Sequence, residues 1–251
     1  VALSSTCLGL RTPLRAALEV LKERHQRAVA LCRKLDKSCA QVRGAGFLHG
    51  VGRLVADDAA TLGMILRTNG LPCLQQLYLF GNGLHDAGMQ SLCDGLGRGA
   101  APSLFTLSLA DNKFGPAGAE ALAAALGRGA LPKLATLGLG GNPIGNQGVA
   151  ALAAPLHKMP ALSQLFLHGC EIGDEGVASL VDNLGKDDFK ALELLYLAGN
   201  KITDAGVAKL RAAFDAGGLP KLVSHRDLLD GNPASAVAVD AVKAALAKRS
   251  Q

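Results

Sequence analysis

The 251-residue chain is 49% hydrophobic but only 4% aromatic and lacks tryptophan, so any core has to be built from Leu, Val, Ile and Ala. Its net charge of +5 is unevenly placed: residues 11–43 hold nine Lys/Arg against three Asp/Glu, and the remainder is close to neutral. A near-neutral body is a poor surface for a phosphate backbone, so no nucleic-acid partner is expected. No apolar run reaches the ~18–20 residues of a transmembrane segment.

Residues 1–10 are apolar and featureless and read as an extended lead-in. Thr12-Pro13 is an N-cap followed by proline at the first helical position, which sets the expected start of a helix. Leu14, Leu18, Leu21, His25, Ala28, Cys32, Leu35, Cys39 and Val42 then step alternately by four and three, a heptad seam over four heptads. The 1–43 extension is therefore expected to be one long basic amphipathic helix. Its stripe either packs on the domain that follows or meets another chain through Leu14, Leu18, Leu21 and Leu35. The polar or small residues at seam positions (His25, Ala28, Cys32, Cys39) argue against a self-paired coiled coil. The flank of Arg15, Lys22, Arg24, Arg27, Arg33, Lys34 and Lys37 reads as a solvated face, and it is where any acidic partner would be met.

Beyond the glycine-rich break at Val42–Leu54 the chain repeats. Leu74, Leu104, Leu134, Leu162, Leu192 and Leu222 are spaced 30, 30, 28, 30 and 30 residues apart. Such a period marks a solenoid whose units cannot bury a hydrophobic face alone. Stepping back 30 residues from Leu77, Leu79 and Leu84 lands on Phe47, His49 and Leu54, and Leu92 and Leu96 map onto Leu62 and Leu66. Residues 44–70 are thus expected to be a degenerate capping repeat with a good helix (Asp57–Arg67) and a poor strand. Residues 71–251 are the repeats proper.

The five best units, from LQQLYLFGNGLHDAGMQSLCDGL (74–96) to LELLYLAGNKITDAGVAKLRAAF (192–214), share the form LxxLxLxxNxLxxxGxxxLxxxL. The first half alternates with period 2, as a short strand does, and the second half has the i, i+4 spacing of a helix. Leu77, Leu79 and their equivalents point inward. Asn82, Asn112, Asn142 and Asn200 form a column at the strand exit, where a buried amide satisfies backbone groups that no ladder reaches. Cys170 replaces the Asn in the fourth unit. Gly88, Gly118, Gly148, Gly176 and Gly206 sit in the first helical turn, where a Cβ would hold helix and sheet apart. In the last unit Asn232 comes two residues late against Asn200, which predicts a bulge or loop at His225-Arg226. The helix Ser235–Lys248 closes the stack.

This pattern resembles the leucine-rich repeats of the ribonuclease-inhibitor class, shared by that inhibitor, the sensor arrays of NOD-like receptors and the Ran GTPase-activating protein. The resemblance implies an α/β solenoid, with a curved parallel sheet on the concave side and helices on the convex side. It also implies a non-enzymatic protein-binding module or a structural subunit of a larger multi-subunit assembly. Two other functions come with the family. One is GTPase activation of the Ran-regulator type, against which the basic C-terminus (Lys243, Lys248, Arg249) stands in place of that protein's acidic tail. The other is the sensor array of a truncated NOD-like receptor, and a start at Val is read here as a trimmed or processed product.

Chemical motifs are lacking. There is no GxxxxGK[ST], HExxH or GxSxG, and GLGRGA (95–100) and LGRGAL (126–131) recur at 30-residue spacing as inter-repeat turns. The six histidines are scattered, Asp86, Asp174 and Asp204 read as helix caps, and no catalytic residue, metal or cofactor is expected. Six cysteines without CxxC spacing read as reduced thiols of an intracellular compartment, cytoplasmic or organellar. What remains informative lies between the inward leucines, on the sheet's opposite face. There Gln76, Tyr78 and Phe80 stand at one end, Phe166, His168 and Tyr196 at the other, and Ser108, Gly138 and Gly140 between them. Both tyrosines of the chain fall in one column. An uncharged trough with aromatic shoulders is expected to dock a protein.

Overall fold

The computed structural model describes residues 5–185, 187–223 and 228–249; at 5–13, 69 and 249 it describes the backbone alone. Two helices lead in, α1 (Ser5–Lys34) and α2 (Cys39–Gly44). Strands and helices then alternate: β1 (Phe47–His49), α3 (Ala56–Asn69), β2 (Gln76–Tyr78), α4 (His85–Gly95), β3 (Thr106–Ser108), α5 (Pro116–Gly127) and β4 (Thr136–Gly138). The remainder is α6 (Gly145–His157), β5 (Gln164–Phe166), α7 (Asp174–Val181), β6 (Leu194–Tyr196), α8 (Asp204–Asp215) and α9 (Ala236–Arg249). The six strands form one parallel sheet in chain order, and each helix from α3 onward packs on the next. This is the α/β leucine-rich repeat solenoid that the motif implies. Helices need about 8–10 Å of spacing and strands about 4.8 Å, so the sheet takes the inner side of the stack.

One register runs through the sheet. Leu48, Leu77, Leu107, Leu137, Leu165 and Leu195 lie abreast, each no more than 2% exposed. The first repeat departs from the expectation by one residue. Phe47 pairs with Gln76 and Leu48 with Leu77, an offset of 29 and not 30. A slip of one residue exchanges the two faces of a strand. Leu48 is therefore the core residue, while Phe47 and His49 are exposed on the outer face. The offset of 30 is recovered by Leu54, Leu62 and Leu66, all in the core.

The asparagine column is a hydrogen-bonded spine. Asn82 Nδ2 donates to the carbonyls of Gly50 and Leu79, and its Oδ1 accepts from the N–H groups of Arg53 and Leu54. Asn112 also donates to Leu79, Asn142 to Leu109 and Leu139, and Asn200 to Leu167 and Leu197. The Leu79, Leu109 and Leu197 carbonyls thus each receive an amide donor from their own repeat and one from the next. Cys170 keeps the place with its thiol, whose Sγ donates to Leu139 O at 3.4 Å, a weaker rung. Asn232 stands in the column despite its two-residue delay, donating to Leu197 and Leu229 and accepting from Ile202 N–H. The extra residues are absorbed before Leu228, whose carbonyl accepts from Leu197 N–H. The bulge expected at His225-Arg226 lies outside the described residues.

A second spine runs along the helix starts, and it explains the glycine column differently from the sequence reading. Asp174 Oδ1 accepts from Thr203 N–H at 2.8 Å and Gly206 N–H at 2.9 Å, its Oδ2 from the Thr203 hydroxyl. Asp86 binds Gly115 and Gly118 in the same way, and Asn146 binds Gly173 and Gly176. Each residue caps the helix of the following repeat, not its own. A Cβ on Gly206 would lie 2.4 Å from Asp174 Oδ1, and one on Gly118 2.9 Å from Asp86 Oδ1. Glycine is required there to admit the neighbour's cap, in addition to allowing close packing on the repeat's own Ile202 or Phe114.

The N-terminal extension differs from a single long helix. α1 begins at Ser5, upstream of Thr12-Pro13, so the expected lead-in is helical from that residue; residues 1–4 lie outside the described residues. The chain then turns through Asp36 at a φ of +53°, and Ser38 opens α2 with a capping box closed by Gln41. The heptad seam splits accordingly. Leu31, Cys32, Leu35 and Val42 belong to the core, and Lys34 pairs with the buried Asp58 of α3. Leu35, expected to face a partner, is only 5% exposed, because the turn after Lys34 folds it onto the first repeat. Leu14, Leu18 and Leu21 stay exposed at 65%, 50% and 60%. At the other end Val242 and Leu246 of α9 are fully buried and close the stack. No helix among the described residues is long and apolar enough to cross a membrane.

Gly206→Ala is expected to lower stability by about 1–3 kcal/mol through the clash with the Asp174 cap. Gly97→Ala, where an added Cβ meets nothing within 4 Å, should leave the unfolding free energy from urea titration within about 0.5 kcal/mol of wild type.

Candidate functional site

Because the strand leucines all turn inward, the residues flanking them fall on the face away from the helices. β1 and β2 build one aromatic group there. Phe47 and His49 stack with ring centroids 5.9 Å apart, Phe47 lies 5.5 Å from Tyr78, and His49 meets Phe80 edge-on at 6.0 Å. Phe47 is 46% exposed and Phe80 37%. β5 and β6 build the second group, in which Phe166 and Tyr196 stack at 4.4 Å and 14°. The two groups are three strand steps apart, about 14 Å at 4.8 Å per step.

Between them the floor is small and uncharged. Ser108 and Thr136 are half-buried, Thr106 is buried, and Gln76 and Gln164 flank the aromatic groups half-buried. Gly138 and Gly140 are buried, contrary to a reading in which both lie open: Ser108 covers the first, and the His168 ring lies where a Cβ on Gly140 would fall, 2.2 Å from His168 Cε1. His168 is itself exposed and is the polar group raised over the floor. Charged pairs stand beside the strands: Lys201 with Glu171, Arg53 with Asp36, and Lys243 of α9 with Asp230. The geometry thus gathers Tyr78, Phe80, Phe166, His168 and Tyr196 on one face, as the alternation predicts. It adds Phe47 and His49, which the offset of 30 had assigned to the core. The α1 residues Leu14, Leu18 and Leu21 are no part of this face: they stand exposed on α1, N-terminal to the Leu31 and Leu35 contacts that hold the helix to the core.

Two carboxyls and three thiols are shifted by their surroundings. Burial pushes the Asp174 carboxyl up, but the hydrogen bonds from Thr203 and Gly206 outweigh it and hold it below the usual carboxylate range. Asp188 is likewise held low by Lys158 at 2.6 Å, by Gly185 N–H, and by the nearby charge of Lys158 and His157. A carboxyl held ionised has no proton to give near neutral pH. Burial pushes the thiols of Cys93 and Cys170 up to about 12, and burial together with Cys39 does the same for Cys32. Those three are packing residues, protonated and poorly nucleophilic. Among the described residues no three His, Cys, Asp or Glu are placed to hold a metal ion.

A family model described as leucine-rich repeat matches residues 70–93, 100–123, 130–153, 162–181 and 192–210. No curated protein sequence is significantly similar. Among solved structures, the yeast complex of Rad7 and Elc1 aligns over 92% of this chain and 75% of the other, at 15% identity and a TM-score of 0.34. A leucine-rich repeat protein of Leptospira interrogans aligns over 71% of this chain and 48% of its own, at 21% identity and a TM-score of 0.30. Likenesses this distant bear on neither partner nor activity.

Asp174 and Asp188 titrate below the unfolded aspartate value of about 3.9, so their stabilisation is complete above about pH 5 and is lost as the pH falls through their folded values. The urea midpoint of wild type should drop steeply below about pH 4. In Asp174→Asn, which keeps the accepting oxygen as Asn146 does, the drop should be shallower.

Proposed function

Since the chain is a leucine-rich repeat protein, we propose that it acts without catalysis, as a docking subunit whose outer sheet face holds a segment of another protein. The observation that carries this reading is the pair of aromatic groups on the solvent side of the sheet. A strand face exposed to water has no need of Phe47, Tyr78, Phe80, Phe166 and Tyr196, whereas large rings on an open surface are the commonest anchors of protein interfaces. Their separation of about 14 Å matches four to five residues of extended peptide at about 3.3 Å each. A partner that seats two apolar side chains at that interval engages both groups at once. The Ser, Thr and Gly floor between them leaves room for its backbone, and the exposed His168 offers a hydrogen bond.

The repeat length of 28–30 residues, with a full helix in every unit, supports placing the array in the ribonuclease-inhibitor class.

Purification of the tagged protein from its native source should recover a defined partner with wild type, and recovery should fall about tenfold or more for Phe166→Ala/Tyr196→Ala and for Phe47→Ala/Tyr78→Ala. Equal recovery by all three proteins, with unchanged thermal melting, would remove the face from the binding site.

A further inference from the structure

The N-terminal half of α1 is a second surface, separate from the sheet face. Among the described side chains the helix is held at its C-terminal end: Leu31, Cys32 and Leu35, just past its last turn, are in the core and Lys34 pairs with Asp58, whereas residues 14–27 are exposed throughout. Leu14, Leu18 and Leu21 form an apolar stripe at the a/d spacing of a coiled coil, a narrow seam and not the broad apolar face of a helix lying in a membrane surface. With Leu18 at an a position, Arg15 and Lys22 fall at e and Arg24 at g, so the borders of the stripe are basic. The two acidic residues of this stretch, Glu19 and Glu23, fall at b and f, away from the stripe. They pair with Lys22 and Arg27 along the helix, exposed contacts that exchange readily for others.

The stripe leads through His25 and Ala28 into a cavity of about 270 Å³ at the foot of the helix, lined also by Cys32, Cys39, Ile65 and Leu71. That volume takes one large apolar side chain. A second copy of the chain is a poor occupant, because antiparallel pairing would set Arg15 and Lys22 of one copy against the same residues of the other.

We propose that α1 pairs with an amphipathic helix of another protein, one whose apolar stripe is bordered by Glu or Asp and whose end presents a large apolar residue to the cavity beside His25. The charge pattern selects the partner: acidic borders meet Arg15, Lys22 and Arg24, and basic borders are repelled.

The test uses two labelled peptides of about three heptads, both with Leu at a and d, one with Glu and the other with Lys at e and g. Fluorescence anisotropy with the full chain should show the Glu peptide binding at least about tenfold tighter than the Lys peptide, with affinity falling as salt rises. Leu18→Asp/Leu21→Asp, at exposed positions where folding is unaffected, should abolish binding. The reversal Arg15→Glu/Lys22→Glu/Arg24→Glu should exchange the preference to the Lys peptide. Equal binding of the two peptides, binding of neither, or Glu-peptide binding that survives Leu18→Asp/Leu21→Asp would overturn the proposal. So would concentration-dependent dimerisation through Leu18 in sedimentation, or partition onto phosphatidylserine vesicles without peptide binding.

Discussion

A parallel strand of three residues leaves its exit carbonyls with no ladder partner, and in a dry interior each such group has to find a donor. One side chain per repeat stands in that column here, an amide in every unit but the one that holds Cys170. Leu79, Leu109 and Leu197 carbonyls each take two amide donors, from Asn82 and Asn112, from Asn112 and Asn142, and from Asn200 and Asn232. Because each amide bridges its own repeat and the one before, the units cannot slide past one another. The fixed register keeps Leu48 to Leu195 abreast in the core, and it places every flanking residue on the outer face. The proposed docking surface is a consequence of that constraint: the spine decides which face Tyr78 and Tyr196 fall on, and the chemistry of those positions is left free.

How much was legible in the sequence follows from the same distinction. Columns that tolerate one residue type were plain, namely the strand leucines, the asparagines and the helix-start glycines, and from them the solenoid and the face bearing Tyr78, Phe166 and Tyr196 were readable. Phe47 and His49 were misplaced because the first repeat runs 29 residues to the next at its strand but 30 at its helix, and a single residue inverts a strand. The role of Asp86, Asn146 and Asp174 was half legible. An acidic residue at a helix start suggests a cap, but only the stacked structure shows that the cap serves the neighbouring helix and that the glycine column makes room for it. α1 was legible as a helix and not in its packing, since one continuous heptad pattern serves two environments. Its lower part is core, and its upper part stands clear of the body.

The two surfaces differ in the kind of recognition they suit. The sheet face is uncharged, rigidly presented by the register and aromatic at its ends, so its selectivity rests on shape and on ring contacts. The α1 stripe is narrow, basic at its borders and anchored at one end, so its selectivity rests on charge pattern.

Photo-crosslinking in the native complex tests the central claim most directly. With a benzophenone amino acid at position 78 or 196, on the sheet face, irradiation should join the protein to one and the same polypeptide. From positions 150 and 209, exposed on the helix side, that adduct should be missing. Adducts from the helix side, with none from positions 78 and 196, would contradict the account.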